Sequence, residues 1–395
     1  MTARSFRVAF LPASWQFEQI KSMHGFMKNI FILTLGLLFA VLPADAGQRV
    51  FDVGEGNDYA SLCPTLDTGK LYAGRLAHTA ENQIVLDVFS VDAKGNPSAS
   101  PRTYEIAVPP PVNDKYVTQW RSIIAIARHP NKKKLYLGYA EPFPNEDHKY
   151  LVVFDLDAKG EPTGKPRILY VGHVNNSVTG FAVDEKDKIL YMIGWGLGLF
   201  GYPLDDNGEP KGDSFMKTGF SHGSYSSIFA EDFSSVIYGD YGCFAYALLD
   251  HKATNDALEK PPEYFTVPGN PNYVGLACAG ETLFVANMTG DATTAALYTW
   301  PLDKATMKPQ GLGAQIPKVH PIMIAQGTRK AAYVATQPSV DEGVPKGFQL
   351  LKFEPTPLGQ LPVPKNLGSE YEGMTLKAIA VDEATGNIYI CARSH

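Results

Sequence analysis

The chain has 395 residues, of which 45% are apolar and 19% charged, with 36 glycines and 29 prolines spread along it, which excludes a disordered polymer and fits a globular chain with many turns. Its net charge of −6 and the lack of any basic run exclude a surface that tracks a phosphate backbone, so nucleic acid is not an expected partner. Four cysteines, Cys63, Cys243, Cys278 and Cys391, are too few for a disulfide-built scaffold and have no C-x-x-C spacing for zinc; they read as buried thiols, with a Cys63–Cys391 bridge as the alternative that export would permit.

The first element in chain order is a targeting segment. From Met27 a lysine leads into an apolar run, Ile30 to Leu42, and then to Ala44-Asp45-Ala46, the pattern of a secretory signal with its cleavage site. Thirteen apolar residues fall short of the roughly 20 that a membrane span needs. Residues 1–46 are therefore expected to be removed, and residues 47–395 to form a single domain that is secreted, periplasmic or at the cell surface, with no membrane span. That domain carries 31 basic and 39 acidic side chains, a net charge of −8.

From residue 48 onward the sequence repeats. Apolar strands carrying an aromatic landmark recur at Tyr72, Tyr136, Tyr191, Tyr238, Phe284, Tyr333 and Tyr389, at separations of 64, 55, 47, 46, 49 and 56 residues. A period of about 40–50 residues with four short strands per unit is the signature of propeller blades. Ahead of each landmark runs a strand of small and β-branched residues, such as "IIAIARHP" at 123–130 or "KAIAVDE" at 377–383, suited to crowding around a central axis. The predicted fold is all-β, a seven-bladed β-propeller. Its last unit supplies only two strands before the chain ends, and "QRVFDVG" at 48–54 reads as an N-terminal strand that joins this last blade and closes the ring.

One phrase recurs between the third and fourth strands of a unit: "VDAKGNP" at 91–97, "LDAKGEP" at 156–162 and "LDDNGEP" at 204–210. Glycine supplies a positive φ and proline ends ladder pairing, so the phrase reads as a hairpin turn. It does not read as a calcium loop, because Lys159 and Pro166 stand where such a loop needs an oxygen ligand and a bidentate Glu. Two catalytic-looking motifs fail on context. Gly196-x-Gly198-x-x-Gly201 and Gly219-x-Ser221-x-Gly223 each lead into strand-like sequence, whereas the dinucleotide fingerprint and the nucleophile elbow both need a following helix.

In a propeller the loops entering the innermost strands gather at one mouth of the central channel. These loops carry Trp120, Arg121, His173, Asn175, Asn176, His222, Tyr225, Asn272, Tyr273, His320, Glu370 and Glu372. Loops between second and third strands add Arg75, His78, Trp195, Asp240, Asn287 and Gln337 on the same face. The ligand-site candidates are Trp120, Arg121, His173, Asn175, His222, Tyr225, Tyr273, His320 and Glu372, because Arg, His and Glu converging on a concavity is the usual make-up of a binding site. The three histidines come from separate units without local ligand spacing, so no metal site is expected in the protein, and no cofactor.

The segments "ARHPNKKKLYLGY", "VVFDLDAKGEPTG", "FAVDEKDKILYMIG" and "TLFVANMTGDATTAALYTWPLD" resemble the seven-bladed lactonase-like propellers, the group of bacterial phosphogluconolactonases and fungal carboxymuconate-lactonizing enzymes, and the YVTN-type surface propellers. The resemblance covers most of residues 47–395 and implies the propeller scaffold. Members acting on lactones carry a Pro-His before the third inner strand and an Asn-Arg-Gly after a second strand; here Asn176 and Met288 stand at the His and Arg positions. A carboxylate or oxyanion clamp without its Arg loses its strongest charge-assisted contact. Two functions stay open: a monomeric propeller that binds a small molecule, glycan or protein through its loop face, and a lactonase-like hydrolase or isomerase using His, Arg and Glu at the channel mouth.

Overall fold

The computed structural model describes residues 48–395 apart from 53–58, 66, 78–82, 108–120, 141–149, 171–177, 195–197, 218–225, 241, 257, 259, 270, 272–273, 289–294, 327–328, 338–346, 358–359, 369–370, 383–384 and 395. Among the described residues every regular element is a strand. After β1 (Gln48–Asp52), sheet 1 comprises β2 (Tyr59–Thr65), β3 (Lys70–Ala77), β4 (Gln83–Ser90) and β5 (Arg102–Ala107). Sheet 2 comprises β6 (Arg121–Arg128), β7 (Lys134–Ala140), β8 (Tyr150–Leu156) and β9 (Pro162–Tyr170). Sheet 3 follows with β10 (Val178–Asp184), β11 (Ile189–Gly194), β12 (Gly198–Pro203) and β13 (Phe215–Lys217).

Sheet 4 is built from β14 (Ser227–Phe229), β15 (Ser235–Asp240), β16 (Cys243–Leu248) and β17 (Glu263–Thr266), and sheet 5 from β18 (Val274–Ala279), β19 (Thr282–Asn287), β20 (Ala296–Pro301) and β21 (Ala314–Ile316). Sheet 6 holds β22 (Pro321–Gln326), β23 (Ala332–Thr336), β24 (Gln349–Phe353) and β25 (Lys365–Asn366). Sheet 7 has three strands, β26 (Met374–Val381), β27 (Ile388–Ser394) and, parallel to β27, β1, with Gln48 opposite Ile388 and Asp52 opposite Ala392. Within sheets 1–6 neighbouring strands run antiparallel in chain order, and β3 also pairs through Leu76 and Ala77 with β6, which joins sheets 1 and 2.

The sheets stack face to face because their strands are apolar on both sides. In β11 all six residues are buried: Ile189, Tyr191 and Ile193 pack against sheet 4, while Leu190 and Met192 pack against sheet 2. The same alternation gives one core cluster for each successive pair of sheets, and a further cluster joins Tyr59, Leu71 and Ala73 of sheet 1 to Ala378, Tyr389 and Cys391 of sheet 7. The aromatic landmarks all lie in second strands and all are buried. Each such side chain contributes about 1.5–3 kcal/mol of hydrophobic stabilisation. First strands follow one another as well: β2 lies against β6 and β26, β6 against β10, β14 against β18, and β22 against both β18 and β26.

The recurring phrase is more than a turn. Asp157 accepts the amides of Lys159 and Glu161 on one carboxylate oxygen, and Asp205 does the same for Asn207 and Glu209. That fold of the hairpin aims Glu161 back at Lys70 of sheet 1, and Glu209 back at Lys134 of sheet 2. The phenols of Tyr72 and Tyr136 donate to the carbonyls of Gly160 (2.6 Å) and Gly208 (2.5 Å). Both glycines have φ of 77°, and an added Cβ would meet Thr68 or His129 at 2.7 Å. The turns of sheets 2 and 3 thus lock onto the second strands of sheets 1 and 2. Of the G-x-G-x-x-G residues, Gly198 and Gly201 lie in β12, where the Phe215 ring covers Gly201; the G-x-S-x-G serine lies outside the described residues. No disulfide joins any of the four cysteines, and Cys278 and Cys391 are buried.

Candidate functional site

In an antiparallel meander, the loops that enter first strands and those that join second to third strands share one end of the sheet. Near that end five of the first strands carry a bulge, which leaves Ala60, Ile124, Thr179, Ile322 and Lys377 without a register partner. A bulge bends its strand and re-aims side chains, and bulges concentrate beside binding sites. A cavity of about 350 Å³ lies among these strands, with Ala125, Phe181, Met323 and Ile379 as apolar wall and Lys377 as its cationic member. Leu62, Ile126 and Ile379 are shared with a second cavity of about 700 Å³ further along the same strands. There Arg128 pairs with Asp67 and keeps its Nε buried without a hydrogen-bond partner. The two cavities share apolar first-strand residues, with Lys377 lining one and the Arg128–Asp67 pair and Asp382 lining the other.

Of the sequence candidates, Trp120, His173, Asn175, His222, Tyr225 and Tyr273 lie outside the described residues, as do Asn176, Asn272, Glu370, His78 and Trp195. Arg121 is the first residue of β6, its backbone opposite Ala77. His320 immediately precedes β22, where its amide donates to Thr336 Oγ1 (3.0 Å) and its carbonyl accepts from the same hydroxyl (2.8 Å). Its Nδ1 lies 3.1 Å from the carbonyl of Ala295. A carbonyl can only accept, so Nδ1 is the donor in this contact. Glu372 is exposed in the turn before β26.

The remaining described rim residues serve the scaffold. Arg75 Nε lies 2.6 Å from Asp87, a carboxylate only 1% exposed that also accepts from Tyr59 and Thr103, both at 2.6 Å. Burial, and then the bond to Asp87, push the Tyr59 phenol far above the usual tyrosine range. Asn287 donates to the Pro268 carbonyl at 3.0 Å, and the Gln337 amide donates to His320 O at 3.2 Å. Buried Asp240 adds to the burial that pushes the Cys243 thiol up to about 11. Lys377 was missed by the sequence reading, although the signal was present: it is a charged residue inside "KAIAVDE", where the other first strands read small or apolar.

No protein-family model matches the chain, and no curated protein does. Solved structures do. The periplasmic gluconolactonase PpgL of Pseudomonas aeruginosa superposes with a TM-score of 0.53 at 14% identity, covering 79% of this chain and 84% of that one. The β-propeller domain of Myceliophteria thermophila Cps50 (Swd1) gives 0.52 at 10% identity over 86% and 97%. A putative 6-phosphogluconolactonase from Bacteroides uniformis gives 0.50 at 11% over 79% and 90%. At such identities what is shared is architecture: this chain has the β-propeller fold, in common with lactonases and with a propeller domain of another description.

Proposed function

We propose that the chain is an exported, monomeric seven-bladed propeller that binds a small molecule or glycan bearing an anionic or hydroxyl-rich group at the loop end of its channel. The observation that carries this reading is the cavity among bulged first strands, with Ser61 and Lys377 beside Phe181, Met323 and Ile379 in its lining, at the end of the sheets where Arg121 begins β6 and His320 and Glu372 sit. A half-buried lysine beside apolar side chains suits a ligand with one charged and one apolar end. Calorimetry with aldonic acids and soluble oligosaccharides tests it. Arg121→Ala should weaken a bound anion by about 2 kcal/mol, the scale of a charge-assisted hydrogen bond. Absence of binding by every member of such a panel sinks the reading.

The likeness to a periplasmic gluconolactonase favours a second reading, lactone hydrolysis in the periplasm. Asn176 and Met288 weigh against it at the two positions where the lactonase-like enzymes carry His and Arg. Turnover of an aldonolactone above the uncatalysed rate, abolished in His320→Ala, would favour the enzyme over the binder.

Ring closure belongs to the same proposal. We read sheets 1–7 as the seven blades and β1 as the latch. The latch is supported by the parallel β1–β27 ladder, by Gln48 accepting from the Tyr371 hydroxyl and donating to the Leu367 carbonyl, and by the apolar cluster between sheets 1 and 7. Removing residues 48–52 should expose the edge of β27 and lower the unfolding midpoint by many degrees. An unchanged midpoint in a truncated protein that stays monomeric would make β1 a dispensable strand.

A further inference from the structure

At the end of β10 the buried Asp184 (2% exposed) folds the following turn by accepting the amides of Lys186 and Asp187 on Oδ1, each at 3.1 Å. Its Oδ2 is buried and accepts no hydrogen bond. Asp187 Oδ2 and His251 Nδ1 are likewise buried without hydrogen-bond partners. Yet the three atoms converge: His251 Nδ1 stands 2.9 Å from Asp187 Oδ2 and 3.7 Å from Asp184 Oδ2, and one donor atom from each of the three residues falls within 4.8 Å of the others. The Tyr191 hydroxyl is also buried and unpartnered, and the charges of Asp184, Asp250 and Asp187 add to the burial that raises its phenol. The buried Lys217 is committed to Asp250.

At 2.9 Å from Asp187 Oδ2, His251 Nδ1 still makes no hydrogen bond to it. Two carboxylate oxygens and an imidazole nitrogen within 4.8 Å of one another, none of them in a hydrogen bond, match the donor set of a coordination sphere. We propose that Asp184, Asp187 and His251 bind one divalent transition-metal ion, Zn²⁺ before Mn²⁺, across the seam between sheets 3 and 4. Metal bonds of about 2.0–2.2 Å at tetrahedral angles set ligand atoms about 3.4 Å apart, between the two separations seen here. The mixed nitrogen and oxygen set disfavours Ca²⁺ and Mg²⁺, which take oxygen ligands. The amides on Asp184 Oδ1 fix the carboxylate so that Oδ2 faces the ion, the orienting role that outer partners play in metal sites. Because Asp184 and Asp187 come from sheet 3 and His251 from sheet 4, the ion would cross-link the seam, independently of any ligand in the channel.

The test is equilibrium dialysis of chelator-stripped protein against Zn²⁺, with bound metal quantified per chain, beside the variants His251→Ala and Asp187→Asn. Both variants spare the turn-forming oxygen of Asp184 and should fold. One Zn²⁺ per wild-type chain, with at least about 10-fold weaker binding in each variant and a melting midpoint that rises with Zn²⁺ in the wild type alone, supports the site. No stoichiometric binding by the wild type, or equal affinity in wild type and variants, overturns it.

Discussion

The seam between sheets 2 and 3 and the seam between sheets 3 and 4 begin from aligned sequence, "ARHPNKKKLY" at 127–136 and "AVDEKDKILY" at 182–191, and are closed in different ways. In the first, His129 Nδ1 accepts the amides of Asn131 (3.2 Å) and Lys132 (3.1 Å), Lys134 pairs with Asp155 and Glu209, and the Tyr136 hydroxyl reaches Gly208 O. In the second, Asp184 performs the turn-forming task of His129 with one oxygen and has another left over. Among the described residues no glycine turn meets Tyr191; its ring clusters with those of Phe229 (5.5 Å) and Phe233 (5.9 Å), and the hydroxyl has no partner. His129 also lies 3.5 Å from Glu185, but a nitrogen that accepts two amides holds no proton to donate, so this contact is not an ion pair. The difference teaches that a repeat conserves the task at a position while the residue doing it decides what polar capacity remains for another use.

The largest expected effect falls on the glycine that lets the first seam close. Gly208→Ala must keep a φ of 77° and place its Cβ 2.7 Å from His129. Left-handed strain of about 1–2 kcal/mol and overpacking of about 1–3 kcal/mol together predict a loss of about 2–5 kcal/mol. Gly212→Ala, with φ of 70° and nothing within 4 Å, should lose about 1–2 kcal/mol from strain alone. Urea unfolding of the two variants measures both; equal losses would mean that the seam gives way around position 208.

Next comes the pair of aligned tyrosines. Tyr136→Phe removes a buried bond and leaves the Gly208 carbonyl without it, so about 1–2 kcal/mol should be lost. Tyr191→Phe removes a hydroxyl that bonds to nothing and should stay within about 0.5 kcal/mol of wild type. Urea midpoints again decide, and equal losses at the two positions would erase the distinction between the seams.

Much of this scaffold could be read from the chain, because burial on both sheet faces writes itself as short apolar runs and a buried aromatic marks each second strand. The landmark tyrosines, the first strands and the turn phrase all fall where the repeat puts them. The purpose of the phrase was less visible: Glu161 and Glu209 act on Lys70 and Lys134, 91 and 75 residues earlier in the chain. The recurrence of "KLY" one unit before "GEP" was the available sign. The rim was legible by position, since His320 and Glu372 stand at loops entering first strands. Position could not reveal that His320 is tied down by Thr336 and Ala295, because one partner ends β23 and the other lies just before β20. The convergence of Asp184, Asp187 and His251 was illegible for the same reason: His251 belongs to a turn of the next sheet, 64 residues beyond Asp187.

The smallest expected effect is a slope with pH. Burial lowers the proton affinity of His129 below the ordinary 6.5, and its Nδ1 cannot take a proton without releasing two backbone amides. Below pH 6.5 the unfolded chain therefore binds a proton at this residue that the folded chain refuses. Stability from this group is complete above pH 6.5 and is lost as pH falls from there toward the folded-state value, by at most about 1.4 kcal/mol per pH unit for one group. His129→Asp copies sheet 3 into sheet 2: a carboxylate can hold the same two amides, as Asp184 does, and an ordinary Asp stays ionised down to about pH 4. Between pH 7 and pH 5 the wild type should lose more stability than this variant, and the difference isolates His129 from the other histidines of the chain. Parallel curves over that range would mean that His129 titrates alike folded and unfolded, and that the two seams differ in geometry but not in their response to acid.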